Sequence, residues 1–101
     1  MSIYKRLAAD FSFLNSYNFS FLKTYKHYVS PAVSFANAKR EIIVGMDYWD
    51  DKMFVYIFNI QSSEKKLEQD LLRNVRFFTR NYKAQVPYVQ KILKDWLDNN
   101  K

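Results

Sequence analysis

The amino-acid sequence predicts an α+β fold, because the spacing of its apolar residues changes twice along the chain. Apolar residues recur at the helical period over residues 3–15, alternate over residues 19–60, and return to a helical period from residue 64. The breaks between the alternating segments are too short for the crossovers that parallel strands require. We therefore expect an N-terminal helix, a three- to four-stranded antiparallel meander, and two C-terminal helices packed on one face of the sheet.

The N-terminal helix is predicted by a single apolar stripe. Four residues share one helical face when each residue advances by about 100°: Ile3, Leu7, Phe11 and Leu14. Ser2 can cap the first turn, and the asparagines within residues 15–18 tolerate the left-handed backbone that ends a helix. We therefore expect the helix to start after Ser2 and to stop within residues 15–18.

Four segments have the alternation that is typical of β-strands, at residues 19–28, 32–37, 41–48 and 52–60. They are rich in β-branched and aromatic residues, and short polar breaks separate them. The third segment alternates apolar with polar side chains, as expected for a strand with one face in water. The fourth is apolar on both faces, so we expect it to be central in the sheet, or covered on its second face by a helix or a partner.

Two helices are predicted after the strands. Over residues 64–82 the apolar residues fall on one helical face: Leu67, Leu71, Val75, Phe78 and Tyr82. Ser62 or Ser63 can cap the start of this helix. Pro87 suits the first turn of a second helix, whose apolar residues continue to Leu97.

The chain length predicts a small soluble domain, and the net charge favours an acidic partner. A chain of 101 residues is the size of one domain, and we expect residues 1–101 to form a single domain. The absence of cysteine suits a reducing compartment, and no apolar run approaches the length of a membrane span, so the cytoplasm is the expected location. The net charge of +6 favours nucleic acid, anionic lipid or an acidic protein as a partner.

No catalytic or cofactor site is predicted. Gly45 is the only glycine, which excludes a glycine-rich phosphate-binding loop and, with it, most nucleotide-dependent enzymes. His27 is the only histidine, and neither an orienting partner nor a nucleophile is evident for it, although general base catalysis requires both. We therefore expect a protein that is not an enzyme and that binds no cofactor or metal ion.

The stretch MDYWDD at residues 46–51 is the first candidate site. It holds three carboxylates and two aromatic rings: Asp47, Tyr48, Trp49, Asp50 and Asp51. A turn is the favoured interpretation, because aspartate side chains bond to nearby backbone in turns. A metal site is disfavoured, since no histidine or glutamate nearby completes a ligand shell. An exposed Trp49 would make the stretch an aromatic tip of the kind that anchors protein interfaces.

A cationic stripe is the second candidate site. Four positive charges fall on the face of the predicted 64–82 helix that lies opposite its apolar stripe: Arg73, Arg76, Arg80 and Lys83. Asp70 can pair with the first of them, but the other three have no carboxylate three or four positions away. Such a stripe suits a phosphate backbone or an acidic protein surface, and a solvated face without a partner fits it as well. Phe77 flanks the stripe, where it can anchor a contact, stack on a base or pack on the last helix.

Two segments carry a resemblance to a known class of proteins: DFSFLNSYNF at residues 10–19 and VSFANAKREIIVGMDYWDDKMFVYI at residues 33–57. Their layout resembles small bacterial immunity proteins of polymorphic or contact-dependent toxin systems. In both, a short helix spaced F-x-x-L-x-x-x-x-F precedes a strand reading V-x-F-x-N, an apolar strand with an acidic-aromatic D-Y turn, and a further strand and helices. The resemblance implies a protein that binds and blocks one cognate toxin in the cytoplasm of the cell that makes both. It carries no catalytic residues to transfer.

The sequence therefore favours a non-enzymatic protein-binding module, an immunity protein that binds and neutralises a cognate bacterial toxin. The alternative is a basic nucleic-acid-binding accessory or regulatory protein that uses the cationic stripe. The candidate partner-binding residues are those at 47–51, the four cations of the stripe, and Phe77. The sequence leaves the oligomeric state open.

Overall fold

The computed structural model describes residues 2–100, which form a five-stranded antiparallel sheet with helices on one face. The helical segments are α1 (Ile3–Asp10), a 3₁₀ helix (Ser12–Tyr17) and α2 (Tyr82–Asn99). The strands are β1 (Ser20–Tyr25), β2 (Ala32–Ala36), β3 (Arg40–Asp47), β4 (Lys52–Gln61) and β5 (Glu64–Asp70). They lie in the sheet in chain order, so the α+β class and the antiparallel meander are confirmed. The sheet has one strand more than predicted, and one C-terminal helix replaces the two that were expected.

The first helix starts where the sequence predicted but ends earlier, because α1 stops at Asp10 and a separate 3₁₀ helix extends from Ser12 to Tyr17. Ser2 caps it, because the Ser2 hydroxyl accepts a hydrogen bond from the Lys5 N–H at 3.2 Å. Three residues of the stripe are fully buried: Leu7, Phe11 and Leu14. Asn18 ends the following 3₁₀ helix in the left-handed conformation, with φ 68°, as the asparagines of this segment predicted.

The fourth strand is an interior strand with a neighbour on each side, as its apolar composition predicted, although β3 is the middle strand of the sheet. β4 pairs with β3 from Asp47↔Lys52 to Arg40↔Asn59 and with β5 on its other side. Both of its edges are therefore hydrogen-bonded within the sheet. The four strands that the alternation predicted lie at the expected positions within a few residues.

The helix predicted over residues 64–82 is wrong. Glu64–Asp70 instead forms β5, an edge strand, and Ser62 and Ser63 form the two-residue turn that connects it to β4. Both serines have positive φ, 49° and 71°, which such a turn requires and which asparagine and glycine normally supply. Nearly every residue of β5 is exposed, so the strand has no buried face to generate an alternating pattern. Its Glu, Lys, Leu and Gln residues are good helix formers, and tertiary pairing overrides that preference.

The chain between β5 and α2 is not helical. Residues 71–81 form turns and irregular backbone, and α2 begins at Tyr82 rather than at Pro87. Asn81 caps α2 by accepting a hydrogen bond from the Lys83 N–H at 2.8 Å. Pro87 has no N–H for the Lys83 carbonyl, and both residues are exposed, so water can satisfy that carbonyl.

The hydrophobic core lies on one face of the sheet, beneath all three helical segments. Alternate strand residues point to it: Val33, Phe35, Ile42, Val44, Met46, Met53, Val55 and Ile57. The last helix contributes Val86, Val89, Leu93 and Leu97. α1 and the 3₁₀ helix contribute the three buried residues named above, so helices cover only this face.

The opposite face of the sheet, termed the open face, is also apolar. Its exposed or partly exposed apolar residues are Tyr25, Ile43, Phe54, Tyr56, Phe58 and Leu67. None of them belongs to the core cluster or packs against it. The second apolar face of β4 therefore has no helix over it within residues 2–100.

Gly45 is needed on the open face for space rather than for backbone freedom. A Cβ at this position would lie 2.4 Å from Cζ of Phe54, 2.6 Å from the carbonyl oxygen of Pro31 and 2.8 Å from Cβ of Ala32. The ring of Phe54 thus lies across β3 where only glycine leaves room. A backbone oxygen cannot be moved aside by changing a rotamer.

Gly45→Ala is therefore expected to lower the free energy of unfolding by about 2 kcal/mol, because overpacking displaces both the ring and the backbone. Urea unfolding followed by circular dichroism measures the loss. Ser34→Ala is the matched control, since Ser34 is a fully buried small residue of the same face and the change adds no atom. Equal stabilities of the two variants would contradict the packing argument.

Candidate protein-binding surface

The predicted acidic-aromatic stretch is a turn, the one that joins β3 to β4. The Trp49 N–H donates to Oδ1 of Asp47 at 2.9 Å, and the Tyr48 N–H donates to the carbonyl of Val29 at 2.8 Å. Asp51 has the left-handed φ of 50°. The turn interpretation is confirmed, and the Asp47 side chain makes the local hydrogen bond that aspartate favours in turns.

The irregular segment at residues 71–81 folds back against this turn. Nη1 of Arg80 lies 3.7 Å from Oδ2 of Asp51. Asp50 and Asp51 line a shallow groove of about 320 Å³ together with Arg76 and Phe77. The structure therefore joins the two predicted candidate sites into one surface. This surface, residues 47–51 with residues 73–80, is termed the tip.

The buried side chain of Gln85 hydrogen-bonds to both segments of the tip, the β3–β4 turn and the 71–81 segment. Gln85 is fully buried in the first turns of α2, and its Oε1 accepts a hydrogen bond from the Met53 N–H at 2.8 Å. Its Nε2 donates to the carbonyl of Asp51 at 2.7 Å and to the carbonyl of Thr79 at 3.0 Å. One side chain thus links β4, the β3–β4 turn, the 71–81 segment and α2. Gln85 was not predicted as a site residue, although it continues the i, i+4 spacing of Val89.

The cationic stripe does not exist as a helical face, because the helix that would carry it is absent. Arg73, Arg76 and Arg80 are exposed on irregular backbone, and Lys83 lies in the first turn of α2. Within residues 2–100, Arg80 is the only one of the four with an ion pair, a long one with an 87% exposed side chain. Arg73, Arg76 and Lys83 have no ion pair among the described residues, but Arg76 and Arg80 line the same groove as Asp50 and Asp51. Arg73 lines a second groove with Asp47, Asp50 and Asp70.

Exposed aromatic side chains concentrate at this end of the sheet. Trp49 is 78% exposed and Phe78 is fully exposed, and they lie on the two segments that Gln85 joins. Tyr48 is about half exposed and lines a shallow depression with Tyr28, which is 96% exposed. Because protein interfaces are enriched in exposed apolar patches and aromatic anchors, this end of the sheet is the candidate interaction surface.

The structure exchanges the roles predicted for two adjacent phenylalanines. Phe77, expected beside the cationic stripe, packs against the core cluster and is partly buried. Phe78, expected in the apolar stripe, is fully exposed. The error follows from the helical period, since consecutive residues in irregular backbone do not follow a wheel.

A hydrogen-bonded carboxylate lies at the centre of the open face. Glu41 is only 2% exposed and accepts from the Tyr25 hydroxyl at 2.6 Å and from Nζ of Lys65 at 2.8 Å. Burial alone would raise the pKa of Glu41, but the hydrogen bonds from Lys65 and Tyr25 outweigh it and lower that pKa. The same hydrogen bond raises the pKa of Lys65. Ser34 lies beside this pair and influences it without a hydrogen bond of standard geometry.

His27 lies in the connection between β1 and β2. Nδ1 of His27 accepts from the backbone N–H groups of Ser30 at 3.3 Å and Val29 at 3.4 Å, so this histidine orders the β1–β2 connection. Among residues 2–100, no group of three or more histidine, aspartate or glutamate side chains is placed to hold a metal ion. Neither described α-helix is long and apolar enough to cross a membrane.

Comparison with known proteins gives no relative. No protein-family model matches the chain, and no curated protein or solved structure matches it. Function is therefore inferred from the tip and from the sequence resemblance.

Proposed function

We propose that this chain is a non-enzymatic protein-binding module and that the tip is its binding surface. The observation that carries the proposal is the pair of exposed rings, Trp49 and Phe78, presented by two segments that Gln85 fastens together. Buried Trp and Tyr side chains contribute most of the affinity in protein interfaces, while charges around them set partner choice and encounter rate. The tip has both exposed aromatic rings and charged side chains.

The tip is also ordered before any partner arrives. Backbone hydrogen bonds of Tyr48 and Trp49 and the three hydrogen bonds of Gln85 hold it within the chain. A surface that is already ordered loses less conformational entropy on binding, so more of its contact energy appears as affinity. This arrangement suits stoichiometric inhibition, which requires tight binding.

The partner that we propose is a cognate bacterial toxin, which the chain neutralises in the cytoplasm of the cell that makes both. This part rests on the resemblance of residues 10–19 and 33–57 to immunity proteins. The resembling segment includes the β3–β4 turn, which presents Trp49. The mixed charges of the tip suit a protein surface better than a phosphate backbone, because Asp50 and Asp51 would repel phosphates from the groove that Arg76 lines. For this reason the nucleic-acid alternative has less support.

Co-expression with the product of the adjacent gene tests the proposed function. We expect a stable complex to co-purify and the adjacent product to arrest growth when expressed without this chain. Isothermal titration then measures the dissociation constant. Recovery of no complex, or of a complex whose partner is harmless alone, would contradict the immunity function. Affinity for DNA or RNA that falls steeply with salt would favour the alternative instead.

Trp49→Ala and Phe78→Ala are each expected to cost about 2 kcal/mol of binding free energy, or about a thirty-fold rise in the dissociation constant, because each removes an anchor. Neither ring supports the core, so the free energy of unfolding is expected to change little. Tyr88→Ala is the matched control, since Tyr88 is 65% exposed on α2, outside the tip. If Tyr88→Ala weakens binding as much as the tip variants do, the interface includes α2 and the tip is not the main binding surface.

A further inference from the structure

The open face of the sheet has a distribution of charge that the proposed toxin-binding function does not use. Beside the central Glu41, the face is apolar and aromatic along β4, where the rings of Phe54 and Tyr56 stack with centroids 5.0 Å apart. Helices cover only the other face within residues 2–100, so the rings of β4 stay partly exposed and Leu67 stays exposed, although Ser34 and Glu41 of the same face are buried. A contiguous apolar sheet face of this kind is a docking surface in soluble proteins.

Two opposite charges, Lys23 on β1 and Asp70 on β5, lie at the two edges of the open face in the same row of paired residues. The strand register places Lys23 opposite Ser34, Ser34 opposite Ile43, Ile43 opposite Tyr56, and Tyr56 opposite Asp70. Lys23 and Asp70 are therefore the two ends of one row that crosses all five strands. Neither forms an ion pair within residues 2–100, although Nζ of Lys23 lies 4.6 Å from the ring centroid of Tyr25.

We propose that the open face binds a second copy of this chain. A two-fold axis that runs parallel to β3 and passes over Ile43 brings each Lys23 opposite Asp70 of the other copy. Two equivalent ion pairs then flank a central contact between the two copies of Ile43, and the rings of β4 in each copy lie over β2 of the other, as an isologous interface requires. Two stacked sheets of this kind pack about 10 Å apart with their strands nearly aligned.

The size of the open face suits a weak dimer. Five strands about 4.8 Å apart, with about seven residues of each at about 3.4 Å per residue, cover about 600 Å² per copy. The two copies together bury about 1,200 Å², the lower limit of specific interfaces. We therefore expect a dissociation constant in the micromolar range or above.

Pairing through the edge of the sheet is a less suitable route to a dimer. The outer strand β5 contains a bulge at its pairing with Ile57 and Phe58, and charged side chains line it on both sides. Bulges and charges on an edge strand prevent pairing with another chain. The open face has no such protection.

Sedimentation velocity on the chain alone tests this proposal, at concentrations up to about 1 mM, well above the micromolar range of such interfaces. We expect a reversible dimer. Lys23→Asp and Asp70→Lys are each expected to weaken it at least about tenfold, because each places like charges opposite one another twice per dimer. The double variant K23D/D70K is expected to recover the wild-type dissociation constant. Lys5→Asp is the control, since it reverses an exposed charge on α1, on the other side of the sheet, and is expected to leave the dimer unchanged.

Three outcomes would overturn the proposal. These are a wild-type chain that stays monomeric throughout, a dimer that the single reversals leave intact, and a double variant no stronger than the single ones. Circular dichroism confirms that each variant is folded. Because no toxin is present, the result is independent of the tip. If the chain is monomeric and the adjacent gene product protects Tyr56 and Phe58 from solvent, the open face belongs to that partner instead.

Discussion

Gln85→Leu is expected to lower the free energy of unfolding by about 3–5 kcal/mol. Leucine has nearly the same size but satisfies none of the three backbone groups that the amide serves: the Met53 N–H and the carbonyls of Asp51 and Thr79. Each buried polar group left without a partner costs about 1–3 kcal/mol. Urea unfolding followed by circular dichroism measures the change.

A second glutamine of the same helix supplies the control for this prediction. Gln90 donates a single hydrogen bond, from Nε2 to the carbonyl of Asp10 at 2.7 Å, in a partly buried setting. Gln90→Leu is therefore expected to cost about 1 kcal/mol. If Gln85→Leu were no more harmful than Gln90→Leu, Gln85 would not be the link between the two halves of the tip.

Glu41→Ala is expected to cost about 3 kcal/mol. It removes two hydrogen bonds to a charged group, from Lys65 and Tyr25, in the interior of the sheet. The cost stays below that of breaking a fully buried ion pair, because the Lys65 side chain is 44% exposed and returns to water. Glu68→Ala is the control: its carboxylate pairs with Arg40 at 3.0 Å, but both side chains are partly exposed, and we expect a loss of no more than about 1 kcal/mol. Comparable losses in the two variants would contradict the special role of Glu41.

The same carboxylate makes stability depend on pH. The folded chain lowers the pKa of Glu41 below its ordinary value of 4.5, so its contribution is complete above pH 4.5 and is lost as the pH falls through the lowered pKa. The pKa of Lys65 is raised above 10.5, so its contribution is complete below pH 10.5 and is lost as the pH rises beyond the raised pKa. Glu41→Gln is expected to flatten the stability profile on the acid side. An unchanged acid limb in this variant would assign the acid sensitivity to other carboxylates.

The candidate site was only partly predictable from the sequence. The stretch at 47–51 could be predicted as an exposed turn because aspartates and aromatic rings at a strand end are a local signal. Arg76 and Phe77 were predicted as site residues from a helix that the chain does not form. They lie in the tip because the 71–81 segment folds back on the turn. The exposure of Phe78 had no sequence signal, since it depends on which of two adjacent rings the irregular backbone turns inward.

By itself, the sequence determined the α+β class, the capped first helix, the first four strands and the turn at Asp47 to Asp51. Each helix or strand among these buries one regular face, so its apolar residues recur at a fixed spacing, and the turn contains residues that favour turns. Only the tertiary structure decided that residues 64–70 form an edge strand and that Gln85 joins two distant segments. An edge strand buries no face, and a side-chain link across more than thirty residues of chain leaves no periodic trace.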